Sequence, residues 1–240
     1  MARVLILTAS YGSGHNAAAR SLASAFQRAG AAVTVVDHFR DLVHPVFARA
    51  TRGLYHWVLR RAPSLWGVAY ALGDRLTSGS PLTFGATRLG EAGLAALLGR
   101  EAPDAVVTVH ATPAVVMAAL AARTPGMPPH TTVVTDFVAH SQWIAHGVDR
   151  YCVAADEVKH DFIARGIPPS RIVVTGVPVR AEFETPVEPG DARAALGLSS
   201  RLPVVLAMAG AQGSFGRLPD VVQALGHVRC PLQALVVAGL

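Results

Sequence analysis

Short apolar runs alternate with longer amphipathic or alanine-rich stretches along most of the chain. Helices are predicted to end near Gly30, to cover residues 112–123 and 156–165, and to lie within a helix–loop region that reaches about residue 99. The alternation predicts an α/β fold with a doubly wound, mostly parallel sheet. The apolar runs that have the length and β-branched content of buried strands lie at residues 3–9, 31–37, 104–110, 130–137, 150–155 and 171–176.

The pattern changes after residue 182. Residues 183–200 are acidic and rich in proline and glycine, which predicts a linker with one short helix. A strand and a second glycine loop then follow at 202–216, with a helix at about 219–226 and a strand at 234–240. Two strands cannot bury a sheet alone. We therefore expect an N-terminal domain over 1–182, a linker over 183–200, and the truncated start of a second, similar domain over 201–240.

Composition indicates a globular protein with a large core. Hydrophobic residues make up 51% of the chain and charged residues 15%. The longest apolar run, 111–122, is too short for a membrane span and is typical of a buried helix. The N-terminal MARVLIL enters a strand without a cleavage site, which predicts no signal peptide. Cys152 and Cys230 have no metal-ligand spacing, so we expect a reduced, cytoplasmic setting.

Charge is distributed unevenly along the chain. The net charge is +5, but residues 1–100 carry +7 and the remainder carries −2. This asymmetry indicates an anionic partner for the first part of the chain. An arginine-rich coding bias is the alternative, since Lys159 is the only lysine.

One basic and aromatic segment, residues 44–76, concentrates this charge. On a helix, its arginines form one face and Phe47, Leu54 and Val58 form another. Such a helix suits the surface of an anionic membrane, although a core helix with a solvated arginine face has the same pattern. No nucleic-acid motif accompanies the arginines, so we expect no nucleic-acid partner. The predicted membrane contacts are Arg49, Arg52, Tyr55, Trp57, Arg60 and Trp66.

The first glycine loop, GSGHNA at 12–17, allows two interpretations. It fits the relaxed dinucleotide pattern G-x-G-x-x-A, and Asp37 follows at the distance of a ribose-binding acid, which together suggest an NAD-dependent oxidoreductase. Four residues separate the strand from Gly12, however, which is unusual for that pattern. His15 stands where a helix begins, and the positive end of a helix favours a neutral histidine that can accept a proton. Local capping or packing by His15 is the alternative.

Five segments carry a resemblance to a known family. Their order and content are similar to the monogalactosyldiacylglycerol synthase and processive diacylglycerol glucosyltransferase group of glycosyltransferase family 28. This resemblance implies the GT-B fold, with two Rossmann-like domains, of which the second is incomplete here. The segments are ILTASYGSGHNAAARSL (6–22), RLGEAGLAALLGREAPDAVVTVHATP (88–113), VVTDFVAHSQWIAHGVDRYCVAADEVK (133–159), RIVVTGVPVRAEF (171–183) and VVLAMAGAQGSFG (204–216).

The resemblance also implies a reaction and a set of site residues. The reaction is inverting transfer of glucose or galactose from a UDP-sugar to diacylglycerol or a glycosyl-diacylglycerol, at the inner face of the cell membrane. The catalytic residues would be His15, as the base, and Asp136, which would orient His15 or hold the acceptor. No cofactor or metal is expected, since the sequence has no Asp-x-Asp motif. The acceptor-binding residues would be Tyr11, Gly12 and Gly14, and the donor-binding residues Gly210, Gln212, Gly213 and Arg180.

Two other functions remain open from the sequence alone. One is the NAD-dependent oxidoreductase that would use the first glycine loop and Asp37. The other is a non-catalytic fragment that binds a membrane or a nucleotide.

Overall fold

A six-stranded, wholly parallel sheet forms the centre of the structure. The computed structural model describes residues 1–75, 88–208 and 218–238. The strand order is β2-β1-β3-β4-β5-β6, so the chain crosses from β1 to β2 in one direction and to β3 in the other. This arrangement confirms the predicted parallel α/β sheet. The strands are β1 (Arg3–Thr8), β2 (Ala32–Asp37), β3 (Ala105–Thr108), β4 (His130–Val133), β5 (Arg150–Val153) and β6 (Ile172–Val174).

Helices cover both faces of the sheet because alternate strand residues point to opposite sides. Val4 and Ile6 belong to the core on the α1 side, together with Ala19. Leu5 and Leu7 belong to a second core, on the side of α4 and α5. The sheet is therefore doubly wound, as predicted. The helices of this part are α1 (Ser13–Arg28), α2 (Pro45–Arg61), α3 (Pro63–Arg75), α4 (Glu91–Glu101), α5 (Ala111–Ala121) and α6 (Asp156–Ala164).

Strands β3 and β4 are shorter than the sequence predicts. β4 ends at Val133 instead of residue 137. The amide of Val134 still donates to the Cys152 carbonyl at 2.8 Å, but the following residues leave the sheet. The polar and aromatic side chains of the predicted strand end, residues 135–137, are thereby placed at the carboxyl edge of the sheet.

The basic and aromatic segment forms two helices. Helix α2 ends at Arg61, Ala62 has an extended φ of −145°, and α3 begins at Pro63. Proline has no N–H to continue a helix and disfavours helical geometry in the residue before it. The proline therefore accounts for the break in the segment.

The last part of the chain forms a separate small sheet. Strand β7 (Val204–Met208) pairs in parallel with β8 (Gln233–Val237), and α8 (Leu218–Gly226) connects them. A short helix, α7 (Pro189–Ala195), lies in the segment predicted as a linker. The second glycine loop, which contains Gly210, Gln212 and Gly213, lies outside the described residues.

Candidate active site

A cleft lies at the carboxyl ends of β1, β3 and β4. Ligands bind open α/β sheets where neighbouring strands connect in opposite directions, and β1 and β3 meet in this way. The cleft has a volume of about 1020 Å³. Its walls come from the loops after these three strands, from α1, α2 and the start of α3, and from residues 137–143. The fold therefore brings segments far apart in sequence to one site.

His15 lies in the first turn of α1 and lines this cleft. Its Nδ1 is 2.9 Å from the backbone carbonyl oxygen of Val109 and 2.9 Å from the hydroxyl oxygen of Thr135. A carbonyl oxygen can only accept, so Nδ1 carries the proton in the neutral ring. The other nitrogen, Nε2, has no protein partner in the described part of the chain. His15 thus has the tautomer that a proton-accepting group needs.

Two opposing effects set the pKa of His15. Burial lowers this pKa below the usual value of 6.5, because the site disfavours the charged ring. The negative charge of Asp136 and the Val109 carbonyl raise it, but their combined effect is smaller. The ring is therefore mostly neutral at pH 7, and the nearby carboxylate stabilises the imidazolium formed when a proton arrives.

Asp136 contacts Trp143 instead of bonding to His15. Its Oδ2 accepts a hydrogen bond of 2.8 Å from the indole N–H of the buried Trp143. Thr135 and the Val109 carbonyl provide the hydrogen bonds that orient His15. Asp136 acts on His15 through its charge, and it also lines the cleft.

His110 is a second histidine in the cleft. It follows β3 and caps helix α5, since its Nδ1 accepts a hydrogen bond of 3.1 Å from the amide of Thr112. Its ring meets the ring of His15 edge to face, with centroids 4.7 Å apart. Burial, followed by the proximity of His15 and His38, lowers the pKa of His110 to about 3. His110 is therefore neutral over the whole physiological range.

Aromatic side chains form a wall beside these histidines, and the rings of Tyr11 and Phe39 each lie 6.3 Å from the ring of His110. Tyr11 packs edge to face on Phe39 and Tyr55, with centroids 4.8 and 5.9 Å away. The Tyr11 hydroxyl pairs with the Thr51 hydroxyl at 2.7 Å, which ties the first glycine loop to α2. Leu54 and Leu65 continue this wall toward solvent. The cleft is therefore polar at its base and apolar at its mouth.

The two glycines of the first loop leave open space. A Cβ on Gly12 would meet nothing nearer than the His15 ring at 4.0 Å, and one on Gly14 would meet nothing within 4 Å. Gly12 caps α1 with extended backbone and also lines the cleft. The space beside Gly12 is thus free for a bound molecule, whereas Gly14 is exposed on α1 and does not line the cleft.

Asp37 has a structural role that conflicts with binding of a dinucleotide ribose. It is 4% exposed, it accepts a hydrogen bond from the Ser10 hydroxyl, and it accepts another of 3.0 Å from the amide of Arg40. These bonds hold the first glycine loop to the helical turn at His38–Val43. The NAD-dependent alternative therefore has no support from this residue.

The remaining predicted site residues lie apart from the cleft base. The guanidinium of Arg180 stacks on the Phe183 ring at 5.1 Å, after β6. Arg49 and Arg52 are exposed on α2, as is Trp57. Tyr55 lies in the cleft wall. Arg60 and Trp66 belong to α2 and α3, but their side chains lie outside the described part of the structure.

Comparison with known proteins gives the family. The model of the monogalactosyldiacylglycerol (MGDG) synthase family matches residues 15–179, which include His15, His110 and Asp136. The chain belongs to the MGDG synthase family. The NAD-dependent alternative has no counterpart in these comparisons.

Curated relatives of the MGDG synthase family match almost the whole chain. A processive diacylglycerol beta-glucosyltransferase of Bacillus cytotoxicus is 34% identical over 241 aligned positions, covering 99% of this chain and 60% of the relative. The protein of the same name from Bacillus thuringiensis is 33% identical with the same coverage. The chain thus spans about 60% of the length of these relatives.

Solved structures show the GT-B fold. MurG of Acinetobacter baumannii aligns with a TM-score of 0.55 at 15% identity, covering 100% of this chain and 69% of MurG. Anabaena Alr3699/HepE, solved in complex with UDP-glucose, aligns with a TM-score of 0.51 at 15% identity, covering 98% of this chain and 60% of HepE. At this identity the likeness concerns the fold alone, and it confirms the fold predicted from the sequence.

Sequence reasoning missed three residues of the site. Thr135, His110 and Trp143 were not predicted, although all lie beside His15 or Asp136. A signal was available for the first two, because they directly follow apolar runs whose carboxyl ends meet at one sheet edge. No local pattern indicates that the Trp143 indole turns toward Asp136.

Proposed function

We propose that the intact protein transfers a hexose from a UDP-sugar to the hydroxyl of diacylglycerol or a glycosyl-diacylglycerol. The observation that carries the proposal is the His15 ring, whose Nδ1 is held by Val109 and Thr135 while Nε2 remains free in a cleft with an apolar mouth. Family membership and the names of the relatives support the same chemistry.

The reaction is an inverting displacement. His15 Nε2 removes the proton of the acceptor hydroxyl as its oxygen attacks the anomeric carbon of the sugar. The bond between that carbon and the UDP oxygen breaks, and UDP leaves with the electron pair. Asp136 stabilises the imidazolium through its charge. Donor contacts are proposed for Gly210, Gln212 and Gly213, whose backbone N–H groups suit a pyrophosphate, and for Arg180.

The proposed binding roles of the chain segments follow the predicted domains. Residues 1–182 bind the acceptor, 183–200 connect the domains, and 201–240 begin the donor-binding domain. The separate β7–β8 sheet supports this division.

Radiolabelled sugar donors test the proposal. The intact protein is incubated with vesicles that contain dioleoylglycerol and either UDP-glucose or UDP-galactose labelled in the sugar. We expect label in the lipid fraction with one of the donors, as a hexosyl-diacylglycerol. Absence of labelled lipid with both donors, under conditions where the protein is folded, would contradict the proposal.

We also propose that the protein works as a peripheral protein on the cytoplasmic face of the cell membrane. No helix in the described residues is long and apolar enough to cross a bilayer. Helix α2 exposes Arg49 and Arg52 together with Leu54 and Trp57, which are 61% and 59% exposed. Phe137, which is 70% exposed, lies at the same cleft mouth. Basic groups beside apolar anchors suit an anionic lipid surface.

Vesicle flotation tests this membrane proposal. The double variant Arg49→Gln/Arg52→Gln should bind anionic vesicles about 20- to 30-fold more weakly, at about 1 kcal/mol for each arginine. Binding of the wild type should also fall as salt is added. Arg150→Gln is the matched control, because this exposed arginine begins β5 at the opposite edge of the sheet. Equal binding of the double variant and the control would refute the proposal.

A further inference from the structure

Two of the three histidines that line the cleft, His15 and His110, present opposite tautomers. His15 carries its proton on Nδ1, because that nitrogen faces the Val109 carbonyl, so its Nε2 can only accept a hydrogen bond. His110 accepts the Thr112 amide on Nδ1, so in the neutral ring its Nε2 carries the proton and donates. One ring thus offers an acceptor and its neighbour a donor.

Both free nitrogens belong to residues that line the same cleft. The ring centroids are 4.7 Å apart, and neither Nε2 has a partner among residues 1–75, 88–208 and 218–238. Helix capping fixes the orientation of the His110 ring, and the Val109 and Thr135 contacts fix that of His15. The donor and the acceptor are therefore held in place before any molecule binds.

A hydroxyl group matches this pair, since it donates one hydrogen bond and accepts others through its lone pairs. A carboxylate or a fully ionised phosphate cannot donate to His15. We propose that His110 is a further substrate-binding residue, whose Nε2–H donates to the acceptor hydroxyl while that hydroxyl donates to His15 Nε2. This inference rests on the proposed function and specifies how the acceptor is held.

The neutral state of His110 suits its position beside a base. A charged His110 would repel the proton that His15 must receive, and burial keeps the His110 pKa at about 3. The Nε2–H holds one lone pair of the hydroxyl oxygen toward His110. The remaining lone pair is then free to attack, so His110 selects one orientation of the acceptor.

Two substitutions separate the donor role of His110 from its capping role. Asparagine keeps the cap on Thr112, since its side-chain oxygen is a preferred N-cap, but it is too short to replace Nε2–H. Glutamine reaches further and restores an N–H donor. With the intact protein, H110N should lower kcat/KM for diacylglycerol about three- to tenfold, as expected for the loss of one neutral hydrogen bond. H110Q should restore most of the lost kcat/KM. KM for the UDP-sugar should not change.

His44 provides a matched control. It caps α2 through its Nδ1, which accepts the Val46 amide at 3.2 Å, and it does not line the cleft. H44N should therefore leave kcat/KM for the acceptor unchanged. An H110N variant that equals the wild type would overturn the inference, and so would an H110Q variant that loses as much activity as H110N.

Nitrogen-15 NMR of the histidine rings tests the tautomers without any assay of transfer. At pH 7 we expect protonated Nε2 and bare Nδ1 in His110, with the reverse in His15. Dioctanoylglycerol should then shift both Nε2 signals. Protonated Nδ1 in His110 would overturn the inference even in an active enzyme. If the tautomers are as expected but no lipid product forms with either UDP-sugar and neither Nε2 responds to dioctanoylglycerol, the proposed function and the inference fail together.

Discussion

At the scale of single residues, the contacts that suit His15 to its proposed role as a base come from the segments that follow β3 and β4. The Val109 carbonyl and the Thr135 hydroxyl fix its tautomer, and Asp136 supplies a negative charge without bonding to it. The sequence predicts His15 and Asp136 as site residues, because His15 stands at the start of a helix and Asp136 at the end of a predicted strand, each in a segment that resembles the family. It does not predict the Val109 carbonyl, since a backbone group 94 residues away carries no signal of its own.

The charge of Asp136 predicts a shift in the pH dependence of transfer. Asp136 raises the pKa of His15, so Asp136→Asn should lower that pKa further below 6.5. The acid limb of the profile of log kcat/KM against pH should then move to lower pH. At high pH, where His15 is fully neutral, the variant should have a lower kcat/KM than the wild type, because the imidazolium of the transition state loses the charge that stabilises it. An acid limb that stays in place or moves upward would show that the carboxylate does not act on His15.

At the scale of helices and strands, tertiary packing decides whether the structure that a local sequence pattern favours is formed. The apolar runs of β1 and β2 are predicted within a residue or two, because β1 is buried from Val4 to Thr8 and β2 pairs with it over all six residues. The amphipathic pattern continues through residue 63, but α2 ends at Arg61 because Pro63 follows. The proline is visible in the sequence, so this break was predictable. The spacing of Asp37 fits a ribose-binding acid, but its carboxylate already accepts hydrogen bonds from the Ser10 hydroxyl and the Arg40 amide. Spacing alone cannot reveal such a competing partner.

Two glycines within α4 give a matched test of this packing. A Cβ on Gly93 would come within 2.6 Å of the Leu42 carbonyl oxygen, whereas one on Gly99 would meet nothing within 4 Å. Gly93→Ala should therefore lower the free energy of unfolding by about 1–3 kcal/mol, as overpacking against backbone does. Gly99→Ala should raise it by about 0.5–1 kcal/mol through helix propensity. Urea denaturation measures both, and equal effects would contradict the packing of α4 on Leu42.

At the scale of the whole molecule, the sheet order explains why the site lies where it does. The chain crosses over in opposite directions on the two sides of β1, which opens a crevice. The loops after β1, β3 and β4 line this crevice with polar groups. The alternation of apolar runs was enough to predict this sheet. It was not enough to predict how many histidines would line the crevice, because tertiary contacts decide which polar side chains face it.

Buried histidines make the whole fold sensitive to acid. Burial lowers the pKa of His130 to about 4 and that of His110 to about 3, whereas an unfolded histidine titrates near 6.5. Between pH 6.5 and 4 the unfolded chain thus binds more protons. The free energy of unfolding should therefore fall as pH falls through this range, by about 1.4 kcal/mol per pH unit for each histidine.

Denaturant unfolding between pH 7 and pH 4.5 measures this slope. His130→Gln should reduce the slope by about 1.4 kcal/mol per pH unit, because one proton-binding difference is removed. His160→Gln is the control, since His160 is exposed on α6. A slope that His130→Gln leaves unchanged would disprove the role of the buried ring.

The proposed reaction depends above all on His15, which is to remove the proton of a lipid hydroxyl in this cleft. The most direct measurement is kcat/KM for diacylglycerol in the intact protein and its His15→Gln variant, with the thermal midpoint and UDP-sugar binding as controls. We expect a loss of about 100- to 10,000-fold with both controls unchanged, as expected for removal of a general base. A His15→Gln variant within about threefold of the wild type, which is the size of a single weak hydrogen bond, would contradict it.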